Sequence, residues 1–378
     1  MLRPHICALT LILLVPGLTK ASQTIQIDSP LDYQVFQRET ATLGHITLRG
    51  KLPGDARLLQ YRITIAGAAG YVCEGTLTAG AAGNGHSFDQ NIPVPAGGWY
   101  QIELRAMDGQ KVIADQTLAH VGVGEVFVVC GQSNSTNYGT PGQKALTKHV
   151  SAFDGSRWQL ADDPQPGVQD HSTGGSFIPA FGDALYDKYH VPIGVASCGY
   201  GGTSVRQWLP PGASIARHPT TDAFVKTVAP GKWVCTGKLF DGLMQRINAL
   251  GPHGFRAVLW HQGESDAGQA RAGYPADRQI TGDDYRRLLE SVIRETRKRA
   301  GWDVPWFVAQ ATYHSEKDSS DAEFRSAQKR VCDDGLALSG PDTDALGAEY
   351  RNGVHFNDKG LKAHGKLWAQ KVETMLPQ

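Results

Sequence analysis

The 378-residue chain carries 37 Lys plus Arg against 37 Asp plus Glu, a formal charge of zero. That balance leaves no polybasic or polyacidic field to gather nucleic acid or anionic lipid. With 41% hydrophobic residues and 44 glycines, the chain has apolar surface for a full core, length for two domains or one enlarged domain, and many tight turns.

Residues 1–21 read as a secretory signal. Arg3 supplies the positive start, Ile6 to Leu18 is an apolar run interrupted by Pro16, and Thr19-Lys20-Ala21 places small residues at the first and third positions of a cleavage site. The run is shorter than the ~20 apolar residues of a membrane span. A cleaved signal is therefore expected rather than a retained anchor, with the mature chain off the membrane and secreted or periplasmic. Cleavage removes Cys7 and leaves Cys73, Cys130, Cys198, Cys235 and Cys332. An odd number leaves at least one thiol free or shared between chains. Cys73 and Cys332 read as buried small hydrophobes, and one bridge among the second-domain cysteines stays open. Neither a CxxC spacing nor a Cys/His cluster marks a zinc site.

Residues 22–120 read as all-β. The segment Leu59 to Ile65 alternates apolar with polar residues, Tyr100 to Arg105 does the same, and Thr42 to Arg49 follows less cleanly. Gly- and Pro-rich turns separate these runs, which predicts a small β-sandwich. It serves either as a carbohydrate-binding module or as a scaffold that buttresses the second domain; no aromatic ladder stands out.

From 121 to 378 the rhythm becomes strand then helix. Val126–Val129 is a short apolar strand, followed by a long loop over Tyr138–Gly175 and a helix over Phe177–Tyr189. Pro192–Ser197 is the next strand and leads into a glycine loop. Lys238–Leu250 reads as helix, Arg256–Trp260 as strand, Asp284–Arg299 as a charged amphipathic helix, Pro305–Ala311 as strand and Lys359–Met375 as the closing helix. Such alternation implies a parallel sheet covered on both faces, an α/β fold.

Chemistry concentrates at strand ends. GEVFVVCGQSN (Gly124–Asn134) ends a buried strand in a turn that presents Ser133. Acyl transfer needs a nucleophile, a base in reach and donors for the oxyanion. Ser133 supplies the first, and its own amide can donate. Gly201 and Gly202 follow the next strand, where an unhindered amide can approach a carbonyl oxygen. WHQGESD (Trp260–Asp266) offers the Gln262 amide, and RNGVHF (Arg351–Phe356) brings His355 with Asn352 three residues before it. His261, Tyr313 and His314 lie near strand ends. Arg206 and Trp208 follow the glycine loop and are candidates for a sugar carboxylate and a sugar face.

The order of these blocks resembles the SGNH hydrolase superfamily. GEVFVVCGQSN with WHQGESD resembles its sialate O-acetylesterase and carbohydrate-acetylesterase branch, carbohydrate esterase family six and relatives, from Gly124 to the end. The resemblance implies a three-layer α/β/α fold and cofactor-free hydrolysis of acetyl esters on sugars. It makes Ser133 the nucleophile and His355 the base, with the Ser133 amide, Gly201 or Gly202, and Gln262 around the oxyanion. Asn134 pins the loop, and Glu264 is a structural anchor. The departure is Asn352, where the family pattern DxxH has Asp. Either a neutral oxygen from Asn352 orients His355, or a carboxylate of Glu264, Asp266, Glu349 or Asp358 substitutes, or the site is damaged. The expected function is a secreted carbohydrate O-acetylesterase, sialic acid favoured, with an acetyl xylan or other polysaccharide esterase as alternative. A non-catalytic glycan-binding homologue is the alternative of another class. The expected partner is an acetylated carbohydrate, and the sequence does not set the oligomeric state.

Overall fold

A computed structural model describes residues 24–377 except 55, 68–69, 82–85, 220 and 270–272. The signal expected over residues 1–21 lies outside the described residues.

The chain opens with strands Gln26–Ser29 (β1), Val35–Gln37 (β2), Leu43–Leu52 (β3), Leu58–Ile65 (β4), Cys73–Thr78 (β5), Gly80–Ala81 (β6), His86–Pro95 (β7) and Gly97–Asp108 (β8). β1, β3, β7 and β6 form one antiparallel sheet; β5, β4 and β8 pair side by side in a second. The alternation along β4 has its cause in their packing. Leu59 and Ile63 point inward against Ile46, Leu48, Ile92 and Val94 of the facing sheet, while Gln60 and Arg62 face solvent.

Lys111–Gly131 (β9) is one strand of 21 residues. Its first half pairs antiparallel with β8, and from Glu125 onward it lies at the centre of a parallel sheet. The division expected between residues 120 and 121 falls inside it. The further strands are Val150–Phe153 (β10), Trp158–Leu160 (β11), Ile193–Ser197 (β12), Ser214–Ile215 (β13), Val225–Ala229 (β14), Lys232–Cys235 (β15), Ala257–His261 (β16), Trp306–Gln310 (β17) and Leu338–Asp342 (β18). The order β11-β10-β12-β9-β16-β17-β18 is parallel except at β11. Because β9 also carries β2 on one side and β8, β4 and β5 on the other, the full sheet has 11 strands and is mixed rather than purely parallel. β13, β15 and β14 make a separate small sheet.

Helices Ile178–Tyr189 (α1), Lys238–Leu250 (α2), Glu264–Ala267 (α3), Gly282–Ala300 (α4), Ala322–Asp333 (α5) and Asp358–Val372 (α6) follow in turn. Val126, Val128 and Cys130 of β9 pack with α2, α4 and α5, whereas Phe127 and Val129 pack with α1 and α6. Burial on both sides is why this segment reads as an unbroken apolar run. α4 starts on a capping box between Thr281 and Asp284 and stops at left-handed Gly301. The long loop after Ser133 contains β10 and β11, and α5 with β18 adds a unit beyond those expected. Among the described residues no helix is long and apolar enough to cross a membrane.

The described cysteines are all unbridged. Cys130, Cys198 and Cys235 are the buried ones, while Cys73 and Cys332 are only half-buried, contrary to expectation. Where β9 enters the parallel sheet, buried Glu125 accepts from Arg38 Nε (2.7 Å), Arg256 Nε (2.8 Å) and Gln37 Nε2 (2.9 Å). This cluster ties the end of β2 and the residue after it to the residue that leads into β16.

Candidate active site

After β9 the chain goes to β10 and β12 on one side, and later to β16 on the other. A crevice at the carboxyl ends of such strands is where open α/β sheets bind ligands. Ser133 sits in that crevice, in a short turn from Ser133 to Ser135. Gly131 makes the turn possible: its φ is +130°, and a Cβ there would lie 2.1 Å from the His261 carbonyl oxygen.

His355 reaches the same cleft from a hairpin of Arg351–Asn352 (β19) and His355–Phe356 (β20). Arg351 holds that hairpin. Its guanidinium donates to the carbonyls of Leu346 (2.8 Å), Val354 (2.8 Å) and Thr343 (2.7 Å) and lies over the Phe356 ring. The Val354 carbonyl also accepts from Asn134 Nδ2 at 3.2 Å, so the serine turn and the histidine hairpin are joined directly. Tyr138 stacks on the His355 ring with centroids 5.0 Å apart. Burial pushes the His355 imidazole below its ordinary value; the Glu264 carboxylate pulls the other way, and the Arg351 cation adds to the lowering. A neutral ring of this kind can accept a proton at neutral pH.

Glu264 is the carboxylate of the cleft. Its Oε1 accepts from Asn134 Nδ2 (2.9 Å) and faces His261 Nε2 (3.1 Å), while its buried Oε2 has no hydrogen-bond partner among the described residues. Burial opposes its charge, but His261 and the bonds from His261 and Asn134 outweigh that and hold the carboxyl down to about 2. His261 is fixed from behind. Trp368 Nε1 donates to His364 Nε2 (2.9 Å), and His261 Nδ1 lies 3.1 Å from the same nitrogen.

Several expectations change here. Gln262 does not point at Ser133: its Nε2 donates to Asp266 Oδ2 (2.7 Å) and the Thr203 carbonyl (3.0 Å), and the residue is fully buried. A carboxylate and a carbonyl outcompete an open cleft for its hydrogens. Asn352 does not orient His355; its amide donates to Thr140 Oγ1 at 3.1 Å on the exposed side of the hairpin. Arg206 and Trp208 lie outside the cleft, 1% and 0% exposed. Arg206 Nη1 donates to the carbonyls of Arg217, His218 and Arg278, and Trp208 Nε1 to Thr203 Oγ1. His261 is likewise buried behind Glu264 rather than facing a substrate.

Asp266 organises the glycine loop by accepting from Ser204 Oγ and Val205 N, while Glu349 and Asp358 pair with Lys359 and Lys362. Of the two glycines, Gly201 N spends its hydrogen on Asp170 Oδ2 (2.7 Å). The amides of Gly202 and Ser133 have no acceptor among the described residues and border the cleft. His314 also borders it, with Nε2 bonded to the Glu264 carbonyl at 2.6 Å, whereas Tyr313 is buried beneath Arg351. Tyr138 and Gln132 are cleft residues that the sequence motifs did not mark for a role.

A serine hydroxyl, an imidazole held below its ordinary value, a carboxylate and free amides thus share one opening. Among the described residues no group of three or more His, Cys, Asp or Glu is placed to hold a metal ion. Residues 123–374 match the family model described as carbohydrate esterase, sialic acid-specific acetylesterase. The chain belongs to this acetylesterase family. No functionally curated protein matches it. Among solved structures, a carbohydrate acetylesterase from Xanthomonas citri is similar at 17% identity, covering 94% of this chain and 75% of that one with a TM-score of 0.54. A protein from Arabidopsis thaliana covers 66% of this chain and 98% of its own at 18% identity and a TM-score of 0.45. The Xanthomonas likeness extends over both the sandwich and the larger sheet. Within this acetylesterase family chain, the matched span takes in the whole cleft, from the serine turn to the histidine hairpin.

Proposed function

We propose that the protein is an exported carbohydrate O-acetylesterase that works through a serine acyl-enzyme on a three-layer SGNH-type scaffold. The observation that carries this reading is the shared cleft of Ser133, His355 and Glu264, with the free amides of Ser133 and Gly202 beside it. Ser133 Oγ attacks the acetyl carbonyl carbon as its proton passes to His355. The carbonyl electron pair moves onto oxygen, facing those amides. The intermediate collapses, the sugar C–O group leaves with the proton from His355, and water repeats the cycle to release acetate. Glu264 supplies the negative charge that stabilises the imidazolium, in place of the Asp absent at position 352. Asn134 and His261 hold Glu264, and Arg351 holds the hairpin.

Sialic acid is the first sugar proposed, on the strength of the family alone, because Arg206 is not available to a sugar carboxylate. A neutral acetylated polysaccharide is the second substrate to try. A purely glycan-binding role leaves the serine, the imidazole and the free amides without a use. The test is hydrolysis of p-nitrophenyl acetate, then acetate release from acetylated sialic acids and acetylated xylan. Ser133→Ala and His355→Ala should each lose at least ~10³ in kcat. Retention of more than about a tenth of the activity in Ser133→Ala would sink the serine mechanism.

A further inference from the structure

We infer that Gln132 is a catalytic residue whose side-chain amide donates to the oxyanion, the place that Gln262 leaves empty. The inference rests on the serine acyl-enzyme reading above.

Its support is the way the Gln132 amide is pinned. Oε1 accepts from Ser265 N at 3.0 Å and Gly263 N at 3.3 Å, with the Gln262 Nε2 group 3.4 Å away. All of these are donors, so the oxygen end is fixed toward the 263–265 loop and the nitrogen end is forced the other way. Nε2 has no acceptor among the described residues, although Gln132 is only 4% exposed and lines the Ser133 cleft. A buried amide whose oxygen is held by two backbone amides and whose hydrogens meet only the cleft is a preorganised donor. It needs no reorganisation when charge develops. Its backbone N is also anchored, to the His261 carbonyl at 2.8 Å, directly before the nucleophile.

When Ser133 Oγ bonds to the carbonyl carbon and His355 takes the proton, the π pair becomes an oxyanion. Gln132 Nε2–H, Ser133 N–H and Gly202 N–H then meet it together. Gly201 N–H, bound to Asp170, takes no part.

The decisive variant is Gln132→Glu. Its carboxylate keeps an oxygen for the Ser265 and Gly263 amides but has no N–H to offer. Gln132→Met, similar in length and lacking both functions, is the second variant. On p-nitrophenyl acetate each should lose about 10²–10³ in kcat while KM moves by less than about threefold. The unfolding midpoint of Gln132→Glu should stay near that of the parent. A merely structural role predicts the opposite split, a lowered midpoint in Gln132→Met and near-parental kcat in Gln132→Glu. More than about half of the parental kcat in either folded variant overturns the assignment, and so does failure of both to fold. Ser133→Ala in the same assay separates the two ideas. If it stays active, the serine reading fails and Gln132 falls with it. If it is inactive while Gln132→Glu works, only the Gln132 assignment falls.

Discussion

Replacing Glu264 by Gln keeps the shape of the side chain and an oxygen for Asn134, and removes one charge. At an effective dielectric of about 20, a unit charge lining the same cleft is worth about 3 kcal/mol to the imidazolium formed on His355. That corresponds to a loss of about 10²–10³ in kcat. Without the carboxylate nothing offsets burial and Arg351, so the His355 value should drop further and the acid limb of kcat/KM should move to lower pH. Stability gives a second readout. The Glu264 carboxyl stands at about 2 in the folded chain against an ordinary 4.5, so the folded state binds its proton less well. Linkage makes this worth ~3 kcal/mol, fully present above the unfolded value and lost as pH falls through the folded one. Urea unfolding of the parent and Glu264→Gln should therefore differ by about that amount at neutral pH and converge at the acid end of the window. A kcat within about threefold of the parent would remove Glu264 from the mechanism. A stability gap that does not shrink in acid would refute its charge.

In the parent enzyme, kcat/KM should rise with pH through a midpoint below the ordinary histidine value of 6.5, because His355 must be neutral to act as base; a midpoint above it in a pH–rate profile would contradict the burial effect. Gln262→Ala should lower stability by about 2–3 kcal/mol, measured by urea unfolding, because it strips a donor from buried Asp266. Its kcat at a temperature well below unfolding should fall far less than that of Gln132→Glu. Asn352→Ala should change kcat by less than about threefold, since only an exposed bond to Thr140 is lost; a loss close to that of His355→Ala would return Asn352 to the base.

The periodic segments were legible in the sequence because burial imposes their pattern. Predicted Phe177–Tyr189, Lys238–Leu250 and Asp284–Arg299 became helices over Ile178–Tyr189, Lys238–Leu250 and Gly282–Ala300. α5 escaped because its buried Phe324, Ala327 and Val331 are diluted by charged residues, although Asp321 caps its start and their helical spacing was there to find. β10 and β11 were hidden inside a segment whose Gly, Pro and Asp content reads as loop. At the site, Ser133 and His355 could be placed by their motifs, but the direction of a side chain could not. Gln132 and Gln262 have the same amide at neighbouring strand ends. Only the competition of Asp266 and Thr203 for one, and of the 263–265 amides for the other, tells them apart. Asn352 and Glu264, both weighed beside His355, part for a similar reason: a hairpin turns one outward, while His261 and Asn134 draw the other in.

β9 stops two residues short of Ser133 after running through both sheets. The sandwich is thus no appendage on a tether: it shares a backbone girder with Ser133. Parts joined this way are inherited as one piece. A split near residue 120 would have to rebuild half a strand and rehouse Glu125 with its two arginines. Such a seam resists the shuffling by which binding modules are commonly gained and lost. Whatever the sandwich touches, it presents to the cleft at a fixed angle.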